Sequence, residues 1–191
     1  INGGIKNVWV SSDSDDILEV SSRYGAKLIK RPSEFAQDFS SSEVAWNHAI
    51  CYLENKESKK IDWVFAPQVT SPLIEPKDVR LALSKIKNEN YDSYFSCCPV
   101  DDLLIWRKSK DKLNSINYDW TNRRRRQENE KQFIENGAFY MFQPSFFLEN
   151  NNRFAGNIGC VEMDNWKFFE IDETTDVIIC EVLMKNFIIK K

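Results

Sequence analysis

The sequence predicts an α/β fold, a three-layer α/β/α domain built around a mainly parallel sheet covered on both faces. Three features predict it. Short β-branched and aromatic runs recur along the chain, stretches of about 10 to 15 residues with helical apolar spacing lie between them, and cap or turn residues mark the junctions. With 191 residues, 42% of them hydrophobic, a single domain over 1–191 buries a sufficient core without disulfide or metal staples.

The elements follow in order. Lys6-Asn-Val-Trp-Val-Ser11 reads as a strand, and the run Ser11 to Asp16 supplies N-cap residues for a helix carrying Ile17, Leu18, Val20 and Tyr24. Gly25 ends that helix, and Lys27-Leu-Ile-Lys30 returns to an extended pattern before Pro32. Ser41, Ser42 and Glu43 open a second helix with Val44, Ala45, Ala49, Ile50 and Leu53 on its apolar side, closed by the charged stretch Glu54 to Lys60. Trp63-Val-Phe-Ala66 is the next strand. Pro76 starts a helix through Leu81, Leu83 and Ile86, and Tyr94 to Val100 forms a further strand. Residues 101–135 break this rhythm and read as an inserted ribbon and arm, of the kind that meets a partner subunit. Ala138 to Phe142 and Cys160 to Met163 resume strands, and Thr174 caps a closing helix through Val177, Ile178, Cys180, Leu183 and Met184.

Composition narrows the function classes. A formal charge of −3 and a pI near 5.4 give no surface-wide field for a polyanion, so nucleic acid is not an expected partner. No apolar run approaches the roughly 20 residues that span a bilayer, and no signal-peptide layout opens the chain. The expectation is a soluble, cytoplasmic protein. Cys51, Cys97, Cys98, Cys160 and Cys180 form no CxxC pair and read as reduced core thiols. His48 lies within a helix and reads as structural, and the acidic run Asp13 to Asp16 lacks the glycine and distal glutamate of a calcium loop, so capping accounts for it.

In open α/β sheets ligands bind beyond the carboxyl ends of the strands, which directs attention to four segments. Arg31-Pro-Ser-Glu leads to a hydroxyl-rich helix start at Ser40 to Ser42, suited to base edges or phosphates, although arginine and cap residues are also ordinary at a surface. Gln68-Val-Thr-Ser71 sets an amide and two hydroxyls on one loop, a group able to orient a polyhydroxylated ligand or simply to form a turn. Arg123 to Arg126 is the densest charge cluster, either an anion clamp or a solvated loop, and its flanking Glu128, Glu130 and Glu135 weaken any RNA-binding reading. In Phe169-Glu-Ile-Asp172, read as a strand, period two puts Glu170 and Asp172 on one face with Ile171 on the other. Two converging carboxylates suit a Mg²⁺ ion that carries substrate phosphates, and an exposed strand edge would look the same.

Together these blocks resemble the CMP-sialic acid synthetases, or acylneuraminate cytidylyltransferases. The matching pieces run from Val8-Trp-Val-Ser-Ser-Asp13 through Arg31-Pro-Ser-Glu34, Asp38-Phe-Ser-Ser-Ser42 and Gln68-Val-Thr-Ser-Pro-Leu73. They continue through Ile116-Asn-Tyr-Asp119, Arg123 to Gln127, Glu135-Asn-Gly-Ala-Phe-Tyr140 and Phe169-Glu-Ile-Asp172 with Asp176. The ordered set is more specific than any one block. The resemblance implies a Rossmann-like nucleotidyltransferase fold and a dimer whose arms reach the partner's site. It also implies a reaction in which the anomeric hydroxyl of a nine-carbon 2-keto acid attacks the α-phosphate of CTP and releases pyrophosphate. It further implies that Arg31 and Ser42 contact cytidine, that Gln68, Thr70 and Ser71 line the sugar with Asn136 and Tyr140, and that Arg126 meets the sugar from the partner. Glu170 and Asp172 would be catalytic through the Mg²⁺ they hold, with glutamate in the place where the family usually has aspartate.

Family members begin with a strand and a glycine-rich, basic loop that cradles the triphosphate, upstream of the point that Ile1 matches. The sequence therefore implies an N-terminally incomplete domain with an exposed strand edge or a gap in the sheet. Related acids such as legionaminate, pseudaminate or an octulosonate are alternative substrates, and a non-catalytic dimeric nucleotide-binding remnant is an alternative role.

Overall fold

A computed structural model describes residues 3–100, 103–128 and 130–189. Strand β1 (Trp9–Ser12) leads into α1 (Asp15–Arg23), whose N-terminus is capped by Ser14 accepting the Ile17 N–H at 3.4 Å. Asp15 and Asp16 at its start and Arg23 at its end complement the helix dipole, and Gly25 after it takes φ 82°, where a side chain would be strained. Strand β2 (Lys27–Lys30) pairs with β1 in parallel, which completes the expected strand-helix-strand unit. Helix α2 (Ser42–Glu57) and β3 (Val64–Pro67) follow. Helix α3 (Pro76–Asn88) begins with Pro76 inside a capping box made by Glu75 and Asp78.

Strand β4 (Ser93–Pro99) precedes the hairpin β5 (Trp106–Ser109) and β6 (Lys112–Ser115), which exposes Trp106 and Leu113, and Leu103, Ile105 and Trp120 in its flanks are exposed as well. The chain returns as β7 (Phe133–Phe142), so the last residues of the expected arm already belong to the main sheet. Asp101 and Asp102 lie outside the described residues. A short helix, α4 (Pro144–Asn150), follows β7, and β8 (Ile158–Glu162) and α5 (Thr174–Leu183) complete the chain's order. Glu173 rather than Thr174 is the cap of α5, because Glu173 and Asp176 form a reciprocal capping box.

The main sheet has the order β3-β7-β4-β8. It is mixed: β4 and β8 run parallel, whereas β7 is antiparallel to both β3 and β4. The excursion through the hairpin explains the reversal, since a return without a crossover helix leaves the next strand antiparallel. Both faces are covered, as three layers require. Ala82 of α3 packs with Tyr94, Phe139, Met141 and Val161 on one side, and Ile50 of α2 and Phe147 of α4 pack with Ala66, Tyr140 and Phe142 on the other. Alternation along β7 sends Phe139 and Met141 one way and Tyr140 and Phe142 the other. Among the described residues β1 and β3 each have a strand neighbour on one side only. All five cysteines are free, with Cys97, Cys98 and Cys180 buried, but Cys51 is exposed on α2 and so departs from the expected core placement. No helix of the described residues is long and apolar enough to cross a membrane.

Candidate active site

One irregularity in β7 builds the site. Phe95 of β4 pairs with Tyr140 and Cys97 with Glu135, so a single β4 residue faces the four β7 residues Asn136 to Phe139. The Ser96 hydroxyl accepts the Phe139 N–H at 2.9 Å across this bulge, and Gly137 takes φ +63°, a conformation that only glycine adopts freely. Bulging leaves the Ala138 carbonyl free to accept the Gln68 N–H at 3.0 Å, which fixes the loop after β3. Two residues further, the Thr70 carbonyl accepts the Ile171 N–H at 2.7 Å. That single bond holds residues 169–171 as an extended segment, not the strand that period two suggested, because no ladder continues beyond it.

Gly137 is where the side chains meet. A Cβ on it would stand 2.7 Å from Glu170 Oε2 and 3.0 Å from Gln68 Oε1. Gly137→Ala is therefore expected to strain the backbone by about 1 kcal/mol and to displace both groups. Misplacement of that kind costs roughly 10²-fold in kcat/KM, and steady-state kinetics beside a melting curve separates it from unfolding.

The electrostatics are acidic. Burial pushes the Glu170 carboxyl above its ordinary value, and the like charges of Asp172 and Glu135 push it the same way. Asp172 is exposed, and its N–H donates to the Asp176 carboxylate at 3.0 Å, which also takes the Glu173 N–H at 2.8 Å. No group of three or more His, Cys, Asp or Glu side chains among the described residues could hold a metal. Two neighbouring hard carboxylates, Glu170 and Asp172, fit instead an ion that completes its shell from phosphate and water.

The segment carrying Glu170 is anchored from below. Asn136 is buried, and its amide donates to the Lys167 carbonyl at 3.0 Å and lies 3.4 Å from the sulfurs of Cys98 and Met163. It clamps the turn before Glu170 and presents no free amide to a ligand. The Lys167 side chain is fully buried and pairs with Glu75 and Asp78, each at 2.6 Å. Tyr140 is also buried, and its hydroxyl donates to Glu135. Burial and the Glu135 hydrogen bond push the Tyr140 phenol up to about 12. Ser71 is buried with no partner for its hydroxyl among the described residues.

A sequence model of the cytidylyltransferases matches residues 2–152. The chain belongs to that family. It is 29% identical over 185 residues to N-acylneuraminate cytidylyltransferase A of Danio rerio, covering 95% of this chain and 41% of the relative, so it spans less than half of that protein. It is 25% identical over 190 residues to the pseudaminic acid cytidylyltransferase of Campylobacter jejuni, covering 97% of this chain and 81% of the relative. In fold it is similar to a CMP:2-keto-3-deoxy-manno-octonic acid synthetase solved with CTP, with a TM-score of 0.61, 16% identity and coverage of 95% and 81% of the two chains. The expected nucleotidyltransferase fold is therefore the observed one.

Within this cytidylyltransferase fold, Gln68, Thr70, Glu170 and Asp172 lie near one another. Arg31 and Ser42 flank the loop between β2 and α2. The Arg31 N–H donates to the Ser12 carbonyl at 2.9 Å, its Nε is buried without a partner, and Ser42 is the first residue of α2. No hydrogen bond or ion pair among the described residues joins either to Glu170 or Gln68. The backbone of Arg126 lies in a short 3₁₀ turn, Arg126–Glu128, and its side chain lies outside what is described. Sequence reasoning gave Glu135 no role near Glu170, reading it as an acid flanking the arginines and as the first residue of a matching block. The usable signal was its period-two relation to Gly137 on a strand. Lys167 gave no local signal.

Proposed function

We propose that this chain transfers CMP from CTP to the anomeric hydroxyl of a sialic acid, an N-acylneuraminate. In that reaction the sugar oxygen forms a bond to the α-phosphorus as the bond to the pyrophosphate oxygen breaks. The convergence of Gln68 and Glu170 over Gly137, with Asp172 beside them, is the observation that supports this reading. An alcohol attacking a phosphoryl centre needs positioning and charge neutralisation more than covalent help. Glu170 and Asp172 would hold Mg²⁺, which neutralises charge on the phosphates when bound. Gln68 and Thr70 would orient the sugar, Arg31 and Ser42 the cytidine, and Ser71, Asn136 and Tyr140 would support the pocket from within. A homodimer would bring Arg126 of each subunit's arm to the other's sugar, and the cytoplasm is the proposed setting.

The test is release of pyrophosphate by the protein with CTP, Mg²⁺ and N-acetylneuraminate. Formation of one CMP-sugar per pyrophosphate is expected, and silence with every acid tried overturns the reading. Transfer to pseudaminate is a second reading, supported by the 25% identity over 190 residues to the pseudaminic acid cytidylyltransferase of Campylobacter jejuni. Competition between the acids decides. Arg126→Lys is expected to raise the KM for the sugar acid about tenfold while that for CTP changes less than about twofold, because lysine lacks the bidentate fork. Equal rises would move Arg126 away from the sugar.

A further inference from the structure

We infer that Arg153 is a positioning residue for the sugar-acid side of this site, acting through Tyr140 on Glu135; the identity of the ligand rests on the reading above. Arg153 lies between α4 and β8. Its guanidinium carbon sits 4.3 Å from the centre of the Tyr140 ring and 4.5 Å from that of Trp46 on α2. Nε donates to the Glu43 carboxylate at 2.7 Å, and both side chains are only 17% exposed. Burial by itself would raise the Glu43 carboxyl, but the Arg153 hydrogen bond, together with a backbone N–H, the Arg153 charge and Ser41, more than offsets it and holds the group below its ordinary value.

The arrangement forms a continuous chain of contacts. Glu43 in the first turn of α2 neutralises the cation, the cation lies against the Tyr140 ring, and Phe154 meets the same ring nearly edge-on at 5.8 Å. Trp46, Arg153 and Phe154 thus leave the ring little freedom to turn. The Tyr140 hydroxyl at the far end donates to Glu135. Glu135 is itself exposed, and an exposed glutamate samples several rotamers unless something holds its head. Here the phenol holds it, next to Glu170 and hence to Gln68. A carboxylate fixed at that place accepts hydrogen bonds from hydroxyls of a polyhydroxylated acid. A hydrophobic side chain at 153 would serve packing equally well, whereas the flat guanidinium fits two ring faces and one carboxylate at once.

Calorimetric binding of N-acetylneuraminate and, separately, of CTP to the wild type, Arg153→Lys, Tyr140→Phe and the double variant tests this. Arg153→Lys keeps a positive charge opposite Glu43, so the fold is retained. The sugar acid should bind about tenfold more weakly to either single variant, the loss of one well-placed contact, with CTP affinity within about twofold of wild type. The double variant should be no weaker than the weaker single, because the two residues act in series. Losses that add, or that fall equally on CTP, overturn the inference, as does an unchanged Arg153→Lys. A wild type that binds CTP but neither N-acetylneuraminate nor pseudaminate overturns the proposed function and the inference together, whereas a binding wild type with an unaffected Arg153→Lys overturns the inference alone.

Discussion

Asp172→Ala is expected to lower Mg²⁺-dependent turnover by on the order of 10²- to 10³-fold, the usual cost of losing one preorganised electrostatic group, without unfolding the protein. Asp172 is exposed, and its recorded hydrogen bond runs from its backbone N–H to Asp176. Alanine keeps that bond. Removal of an exposed side chain away from packed features shifts stability by no more than about 0.5 kcal/mol, so the melting temperature should barely move. A second signature follows from the charges. Burial first, then Asp172 and Glu135, raise the Glu170 carboxyl. With Asp172 gone, Glu170 ionises at lower pH, and the acid limb of the residual activity should move downward with it. Rates measured across Mg²⁺ concentration and pH give both results, and unchanged rates at limiting Mg²⁺ would take Asp172 out of the site.

Lys167→Met is expected to cost about 3–5 kcal/mol of stability, the price of stripping one partner from a buried ion pair. Methionine fills the same space, so packing is nearly conserved. What is lost is the cation between Glu75 and Asp78, at 2.6 Å from each. Lys77 remains 3.0 Å from Glu75 and 2.7 Å from Asp164, but it is a surface cation and does not reach the buried Asp78 in the same way. Chemical denaturation measures the loss. Its pH dependence identifies the cause. Burial would raise Glu75, yet Lys167 and Lys77 hold it below its reference of 4.5. A carboxyl with a depressed folded-state pKa contributes stability above the unfolded pKa and loses it as pH falls through the folded value. The gap between wild type and variant should therefore be full at neutral pH and narrow below about pH 4.5. A gap that persists unchanged into acid would point to packing rather than charge. Turnover should fall as well, since Asn136 grips the Lys167 carbonyl just ahead of Glu170.

Local chemistry explains how much was legible. Ser14 and Gly25 mark helix ends through bonds made within a few residues and Pro76 through its fixed φ, and helices α1, α2 and α3 lie where the local sequence implies. Helix α4 was not legible, because seven residues carry too little period to distinguish from a loop. The reversal of β7 was equally hidden, since strand direction depends on how the intervening arm returns. Within the site, the loop at Gln68 and the acidic pair at Glu170 and Asp172 stood out as residue types in order, and their matches to a family gave them roles.

The sequence by itself determined the α/β alternation, the helix boundaries and the family, because each is written in neighbouring residues or in ordered motifs. The tertiary structure alone decided that Gln68 and Glu170 converge over a bulged Gly137, that Asn136 turns inward, and that Lys167 and Arg153 find carboxylate partners far along the chain. Lys167 meets Asp78 across 89 positions, and Arg153 meets Glu43 across 110. Such pairings arise from strand register and layer packing, and no periodicity along the chain encodes them.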